Sequence, residues 1–158
     1  MIWTHTFEQR AKGWLDAAFH ARFREVLVHA GARYSLVCPA YVLMPDHWHV
    51  VWLGVAGASD QRMATRFLRQ HLQPHLGAAR LQDRAHDHVL REGERERGAF
   101  VSAVSYVREN PVRAGLCATW VDWEFAGAAI AGYPDLDPRA EDFWEVFWRI
   151  HAKLAGEA

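Results

Sequence analysis

The stretch YSLVCPAYVLMPDHWHVVWL, residues 34–53, decides the fold of this chain. Two apolar runs that are rich in β-branched residues flank a Pro-Asp pair, which is typical of a turn. The pattern therefore predicts an antiparallel hairpin with strands at about 34–44 and 47–53. Proline cannot donate a hydrogen bond to a neighbouring strand, so Pro39 predicts an edge position or a bulge in the first strand.

Outward from this hairpin, the rest of the chain shows one further strand pattern and four helix patterns. Residues 2–7 alternate β-branched and aromatic side chains, whereas apolar residues recur at helical spacing in the four other segments. Together these patterns predict an α+β domain in which helices pack on an antiparallel sheet. The predicted helices are residues 14–30, closed by Gly31; residues 60–76, capped by Ser59; residues 97–110, ended by Pro111; and a last helix after Pro138. Residues 77–96 are predicted to be a loop or short elements.

Length and composition indicate an ordinary globular protein of one domain. The chain has 158 residues, 51% of them hydrophobic and 23% charged, with a net charge of −1. Residues 60–113 are mildly basic and residues 114–158 are acidic, so DNA binding would need a local groove instead of an overall positive field. No membrane span or signal peptide is apparent, and Cys38 and Cys117 lack paired spacing, which predicts reduced thiols in a cytoplasmic protein.

His47 and His49 form a candidate metal site, because alternate residues of a strand point to the same face. Two neutral imidazoles on a stiff strand are a preorganised half-site for Mn²⁺, Zn²⁺ or a similar ion. An accidental His-x-His is the alternative interpretation, and two other histidine pairs compete with this one. They are His86 and His88, in a segment without a strand pattern, and His71 and His75, on the second predicted helix with a proline between them.

Tyr106 and Asn110 are the second candidate pair. They lie four residues apart near the end of the third predicted helix and therefore on one helix face. The apolar neighbours Val104 and Val107 favour a buried, purely structural tyrosine when this segment is considered alone.

Two motifs, taken in their order and spacing, resemble those of the REP-associated tyrosine transposases. They are YVLMPDHWHVV at 41–51 and SYVRENPVRAGL at 105–116, and HDHVLR at 86–91 resembles the linker before that family's tyrosine helix. The family belongs to the HUH (His-hydrophobe-His) single-strand DNA nucleases, and the resemblance covers about residues 3–130. It implies the HUH nuclease and transposase fold, a ferredoxin-like antiparallel sheet with helices packed on one face.

The resemblance also implies a role for individual residues. His47, His49 and Asn110 would hold a divalent metal. Tyr106 would attack a phosphodiester of single-stranded or hairpin DNA, forming a 5′-phosphotyrosine link and a free 3′-hydroxyl. Two imidazoles and one amide leave open positions on an octahedral ion, so we expect Mg²⁺ or Mn²⁺, with Zn²⁺ as an alternative. The candidates for contacts to DNA phosphates are Arg113 first, then Arg62, Arg66 and Arg69 on the second predicted helix.

Two other functions compete with a transposase-like endonuclease. One is a domesticated protein that binds DNA hairpins without turnover, and the other is an unrelated metallohydrolase that uses the histidines while Tyr106 is structural. We expect residues 1–134 to form a single HUH transposase domain. Residues 135–158 would form an acidic C-terminal helix packed on that domain or appended to it, and the sequence does not decide between a monomer and a dimer.

Overall fold

The computed structural model of the chain describes residues 1–83, 85–88 and 97–156, and for residues 86–88 it describes the backbone only. These ranges contain five β-strands and five α-helices. The strands are β1 (Ile2–Thr6), β2 (Leu36–Met44), β3 (His47–Gly54), β4 (His86–His88) and β5 (Ala126–Ala129). The helices are α1 (Ala17–Tyr34), α2 (Gln61–Leu72), α3 (Arg97–Arg108), α4 (Asn110–Arg113) and α5 (Phe143–Ala155).

The five strands form one antiparallel sheet in the order β4-β1-β3-β2-β5. The chain runs through the elements β1-α1-β2-β3-α2-β4, and the strand order 4-1-3-2 of this part is the ferredoxin-like arrangement. Strand β5 extends the sheet beyond β2. The predicted fold class, an α+β protein with a ferredoxin-like antiparallel sheet, is therefore confirmed.

Helices cover both faces of the sheet. On the first face, α1 and α2 pack on a core that includes Trp48 and Trp52 of β3. On the second face, α3 and α5 pack on a core that includes Val42 of β2 and Val51 of β3. The expectation of helices on one face only is corrected here. The physical reason is that β2 is buried along its whole length, so its apolar side chains need cover on both sides.

Helix α5 belongs to the second core. Its residues Phe143, Phe147 and Ile150 are buried there, whereas Leu154, on the same predicted stripe, is exposed. The helix begins at Phe143, later than a start directly after Pro138. The division of the chain into a domain of residues 1–134 and a C-terminal helix stays a prediction.

The predicted hairpin is formed by β2 and β3, with Pro45 and Asp46 in the turn between them. Pro39 lies at a β-bulge, since the pairing register with β3 shifts between Val37 and Ala40. Strand β2 pairs with β3 on one side and with β5 on the other. The bulge, and not an edge position, therefore accommodates the proline.

The ends of the first two helices differ from those that the sequence predicted. Asp16 caps α1, because its carboxylate accepts a hydrogen bond from the Phe19 N–H at 2.7 Å. Asp60 caps α2 in the same way, by accepting from the Met63 N–H at 2.9 Å. The predicted cap Ser59 instead closes the preceding loop: its hydroxyl accepts from two backbone N–H groups and donates to a backbone carbonyl.

Two strands were not predicted. Strand β4 lies within residues 77–96, for which the sequence predicted a loop or short elements without a strand pattern, and it pairs with Ile2–Thr4 of β1. Strand β5 has the sequence AGAA and pairs with β2. Both are short strands at the edges of the sheet. Hydrogen bonding to β1 and to β2, and not their own sequence, keeps them extended. Residues 89–96, which include Arg91 of the linker-like segment, lie outside the described residues, as does residue 84.

Gly31 does not end α1, which continues to Tyr34 before Ser35 adopts a left-handed φ of 55°. A Cβ atom at Gly31 would lie 2.8 Å from the carbonyl oxygen of Leu36, closer than real Cβ contacts, so the glycine lets α1 pack closely on the start of β2.

We expect Gly31→Ala to lower the free energy of unfolding by about 1–3 kcal/mol. Urea denaturation measures this, with Gly98→Ala as the control, since a Cβ there meets nothing within 4 Å; unchanged stability of the Gly31 variant would contradict the packing role.

Both cysteines are free thiols. Cys38 is buried in β2, where its thiol donates to the carbonyl oxygen of Ala40 at 3.2 Å, and Cys117 is partly exposed. No helix in the described part of the chain is long and apolar enough to cross a membrane. The cytoplasmic location stays a prediction.

Candidate active site

His47 and His49 lie side by side on the second face of the sheet. Side chains alternate along β3, so Trp48 between them is buried in the core of the first face. The two imidazole centroids are 4.9 Å apart and the rings are nearly perpendicular, at 86°. The structure therefore brings the two predicted ligands together on one face.

A second residue holds the Nδ1 atom of each imidazole. His47 Nδ1 donates to the Asp46 carboxylate at 2.6 Å, and His49 Nδ1 lies 2.9 Å from the hydroxyl oxygen of Thr4. In the tautomer with a proton on Nδ1, each ring keeps its Nε2 lone pair free for a ligand. The role of Thr4 could not be predicted from the sequence, because only the register of β1 places this residue opposite His49. Asp46 was predicted only as a turn residue.

The Nε2 atom of His49 fits the role of a metal ligand. It is buried and has no hydrogen-bond partner among the described residues, which is costly for a polar atom. Burial, together with the charges of His47 and Arg113, lowers the pKa of His49 to about 3. The ring is therefore neutral at physiological pH, which is the form that binds metals.

Asp46 is itself held by Arg10, whose guanidinium donates to the second carboxylate oxygen at 3.2 Å. Burial alone would raise the pKa of Asp46, but the hydrogen bond and charge of His47 and the charge of Arg10 hold it below its ordinary value. A charged carboxylate is thus fixed behind the His47 ring. Sequence reasoning missed Arg10, since it lies 36 positions away in the chain.

Tyr106 is on the solvent side of α3. Its side chain is 64% exposed, whereas Phe100, Val104 and Val107 of the same helix are buried in the second core. The interpretation of Tyr106 as a buried structural residue is therefore wrong. The phenol is free to meet a bound molecule.

Asn110 has a defined orientation because of the proline that follows it. Pro111 has no N–H to donate to the carbonyl of Val107, four residues earlier, and the Asn110 Nδ2 donates to that carbonyl instead at 2.9 Å. This bond fixes the amide. Its Oδ1 accepts no hydrogen bond from any described residue, so it is available as an oxygen ligand.

Arg113, the last residue of α4, contacts Tyr106. Its guanidinium lies over the Tyr106 ring, with Cζ 3.8 Å from the ring centroid, and donates to the Tyr106 carbonyl at 2.8 Å. Its charge also contributes to the lowered pKa of His49. The contacts of Arg113 are therefore with Tyr106, and its effect on His49 is through its charge alone.

The donor set fits a divalent metal that keeps open coordination positions. The candidate ligands are two imidazoles and one amide oxygen, and the buried Nε2 of His49 has no partner within the described chain. No group of three or more His, Cys, Asp or Glu side chains in the described ranges could hold a metal. The assignment of Asn110 as the third protein ligand stays a prediction.

Of the two competing histidine pairs, the one on the second predicted helix does not form part of this site. His71 and His75 are exposed and line a cavity of about 210 Å³ between α1 and α2, on the first face of the sheet. The backbone of His86 pairs with Thr4, and the side chains of residues 86–88 lie outside the described part.

The predicted DNA-binding arginines of α2 also lie on the first face. Arg62 and Arg66 are exposed on that helix. Arg69 is half-buried and donates to the carbonyls of Gln82 and Asp83, at 2.6 and 3.4 Å. Its guanidinium therefore holds a loop, and it does not form one exposed row with the other two arginines.

Behind the site, His5 is fully buried against Trp48, and neither ring nitrogen has a partner among the described residues. Burial lowers the pKa of His5 to about 3, helped by the charges of Arg69 and His49. The folded state therefore binds fewer protons than the unfolded state, whose histidine has a pKa of about 6.5. The stabilising effect of the neutral ring is complete above this value and is lost as the pH falls towards 3, at roughly 1.4 kcal/mol per pH unit.

We therefore expect His5→Phe to flatten the pH dependence of the free energy of unfolding between pH 6.5 and 4, and to raise stability at the acid end relative to wild type. Denaturant titrations at several pH values measure this, with His29→Phe at an exposed position as the control. An unchanged slope in His5→Phe would show that His5 is not the buried neutral group.

No protein-family model and no curated protein matches this sequence. Among solved structures, the chain is similar to a REP-associated tyrosine transposase that is bound to a REP hairpin, with a TM-score of 0.65. The two are 21% identical in sequence, and the match covers 79% of this chain and 73% of that chain. The protein thus has the fold of a REP-associated tyrosine transposase, as its motifs predicted.

Proposed function

We propose that this protein is a metal-dependent single-strand DNA endonuclease and strand transferase that acts on hairpin DNA. The fold that it shares with a hairpin-bound transposase supports this function. The observation that carries it is the imidazole pair, in which Asp46 and Thr4 hold the rings and the buried Nε2 of His49 has no partner among the described residues. An exposed Tyr106 supplies the candidate nucleophile.

In the proposed reaction, the phenol oxygen of Tyr106 attacks the phosphorus of the scissile phosphodiester. The bond from phosphorus to the tyrosine oxygen forms while the bond from phosphorus to the 3′ oxygen breaks. The phenol loses its proton, and the 3′ oxygen takes one up to leave as a hydroxyl. Because one ester replaces another, a 3′-hydroxyl can later reverse the step, and neither cutting nor joining needs a nucleotide cofactor.

His47 and His49 would hold a divalent ion through their Nε2 atoms, and Asn110 through its amide oxygen. When bound, such an ion supplies positive charge beside the non-bridging phosphate oxygens. We propose Mg²⁺ or Mn²⁺, with Zn²⁺ as the alternative. The chain itself orients the ligands, since Asp46 and Thr4 fix the two rings before any ion arrives.

The DNA contacts are proposed from exposed guanidinium groups. Arg113 is the first candidate, because it is exposed beside Tyr106. Arg62 and Arg66 lie on the opposite face of the sheet, so a DNA molecule that touched all three would have to pass around an edge of the sheet. Arg69 contributes to binding indirectly, through the loop that it holds.

A covalent-adduct assay tests this function. Hairpins with single-stranded flanks, labelled at the 3′ end, are incubated with the protein and Mn²⁺ or Mg²⁺ and run on a denaturing gel. We expect the label to migrate with the protein, and a 5′-labelled hairpin to release a fragment that a polymerase can extend. Cleavage without an adduct would indicate metallohydrolysis, and hairpin binding without cleavage under any metal would indicate a binding protein; either result contradicts the proposal.

A further inference from the structure

We propose that Arg113 is a positioning residue for the nucleophile: its guanidinium holds the Tyr106 ring in one orientation before DNA binds. The role of Tyr106 as the nucleophile is taken from the proposed function. The contact itself belongs to the DNA-free protein, so it can be measured whether or not the protein cleaves DNA.

Two separate contacts fix the Tyr106–Arg113 pair. The guanidinium carbon lies 3.8 Å from the centroid of the phenol ring, and one Nη atom donates to the Tyr106 backbone carbonyl at 2.8 Å. The first contact sets the ring plane and the second sets where the guanidinium sits. The Arg33–Tyr34 pair on α1 is a looser contact, because the Arg33 guanidinium carbon lies 5.8 Å from the centroid of the Tyr34 ring.

The chain segment around Pro111 explains why Arg113 reaches Tyr106. Residues seven apart lie on the same helix face, and long side chains on a helix lean towards its N-terminus. Helical hydrogen bonding spans the junction of α3 and α4, since the Glu109 N–H donates to Ser105 and the Arg113 N–H donates to Glu109. Arg113 is thus directed back along the helix surface that carries the tyrosine.

An exposed phenol needs such a contact if it is to act as a nucleophile. Tyr106 is 64% exposed, so core packing does not orient its ring. Ordering a reacting group in advance reduces the entropy lost when the reactive complex forms. The planar guanidinium of arginine can stack on the phenol ring. The ammonium group of lysine carries the same charge, but it is not planar and cannot stack. Arg113 uses one donor for the Tyr106 carbonyl, and its other N–H groups are left for a phosphate.

The first arm of the test uses the DNA-free protein. The four tyrosines are replaced by 3-fluorotyrosine, and their ¹⁹F resonances are assigned by single Tyr→Phe changes. We expect Arg113→Lys to move the Tyr106 resonance towards the position of free fluorotyrosine and to leave the other three in place. Arg33→Lys is the matched control and should move the Tyr34 resonance only. A Tyr106 resonance that is identical in wild type and in Arg113→Lys would overturn the proposal.

The second arm measures single-turnover cleavage at saturating hairpin DNA. We expect Arg113→Lys to lower this rate about 10-fold while the Kd for the hairpin changes only about twofold to threefold, and Arg33→Lys to change neither. Weaker DNA binding with a normal rate at saturation would also overturn the proposal, because Arg113 would then be a phosphate contact alone. If the wild type forms no adduct, the proposed function fails, and the ¹⁹F result still decides whether the ring is held.

Discussion

Tyr106→Phe is expected to abolish the covalent protein–DNA adduct and to lower the rate of hairpin cleavage by roughly three orders of magnitude or more. Phenylalanine keeps the ring and removes the oxygen that would form the bond to phosphorus. Because Tyr106 is exposed and belongs to neither core cluster, the variant should fold with the stability of the wild type. Denaturing gels of 3′-labelled hairpins with Mn²⁺ measure both the adduct and the cleavage.

Tyr34→Phe is the matched control for this variant. Tyr34 also has an arginine over its ring, but it lies at the end of α1, on the other face of the sheet. Its hydroxyl should be dispensable for cleavage. Equal adduct yields from Tyr106→Phe and wild type would show that another residue is the nucleophile or that the linkage is not to tyrosine.

The second large effect is expected for His49→Ala. This change removes the buried Nε2 that has no partner among the described residues, and we expect it to weaken Mn²⁺ binding by about 100-fold or more and to eliminate cleavage. Binding of the hairpin itself should change little, since the buried Nε2 would contact the metal and not the DNA. Electron paramagnetic resonance of free Mn²⁺ gives the metal affinity, and a gel-shift assay without metal gives the DNA affinity.

Two further variants separate loss of the ligand from loss of packing. Thr4→Val keeps the shape of the side chain next to His49 but removes the hydroxyl that orients the ring, so the metal affinity should fall by about 10–100-fold. His71→Ala removes an exposed histidine of the first face and should leave metal binding intact. If His49→Ala binds Mn²⁺ with wild-type affinity, the imidazole pair is not the metal site.

The sequence predicted those parts of the fold and site that depend on near neighbours in the chain. Strand alternation was enough to place His47 and His49 on one face with Trp48 on the other. The turn residues were enough to place the hairpin. Contacts between distant residues were beyond such patterns: Thr4 meets His49 only because of the pairing of β1 with β3, and β4 becomes a strand only beside β1.

The helices show the same limit. Apolar spacing showed that α3 and α5 each bury one stripe, but it does not indicate which face of a sheet a helix covers, and both pack on the second face. Helical spacing also grouped Arg69 with Arg62 and Arg66, whereas the loop carbonyls of residues 82 and 83 bind its guanidinium. For Tyr106, neighbouring valines favoured burial, and only the arrangement of α3 on the sheet leaves it exposed.

Paramagnetic broadening by Mn²⁺ shows whether the phenol and the imidazole pair serve one pocket. In protein labelled with 3-fluorotyrosine, substoichiometric Mn²⁺ should broaden the Tyr106 resonance well before that of Tyr34, and His49→Ala should prevent the effect. A Tyr106 resonance that stays sharp after Mn²⁺ has saturated the histidine pair would place the tyrosine away from the metal and would contradict the proposed enzyme.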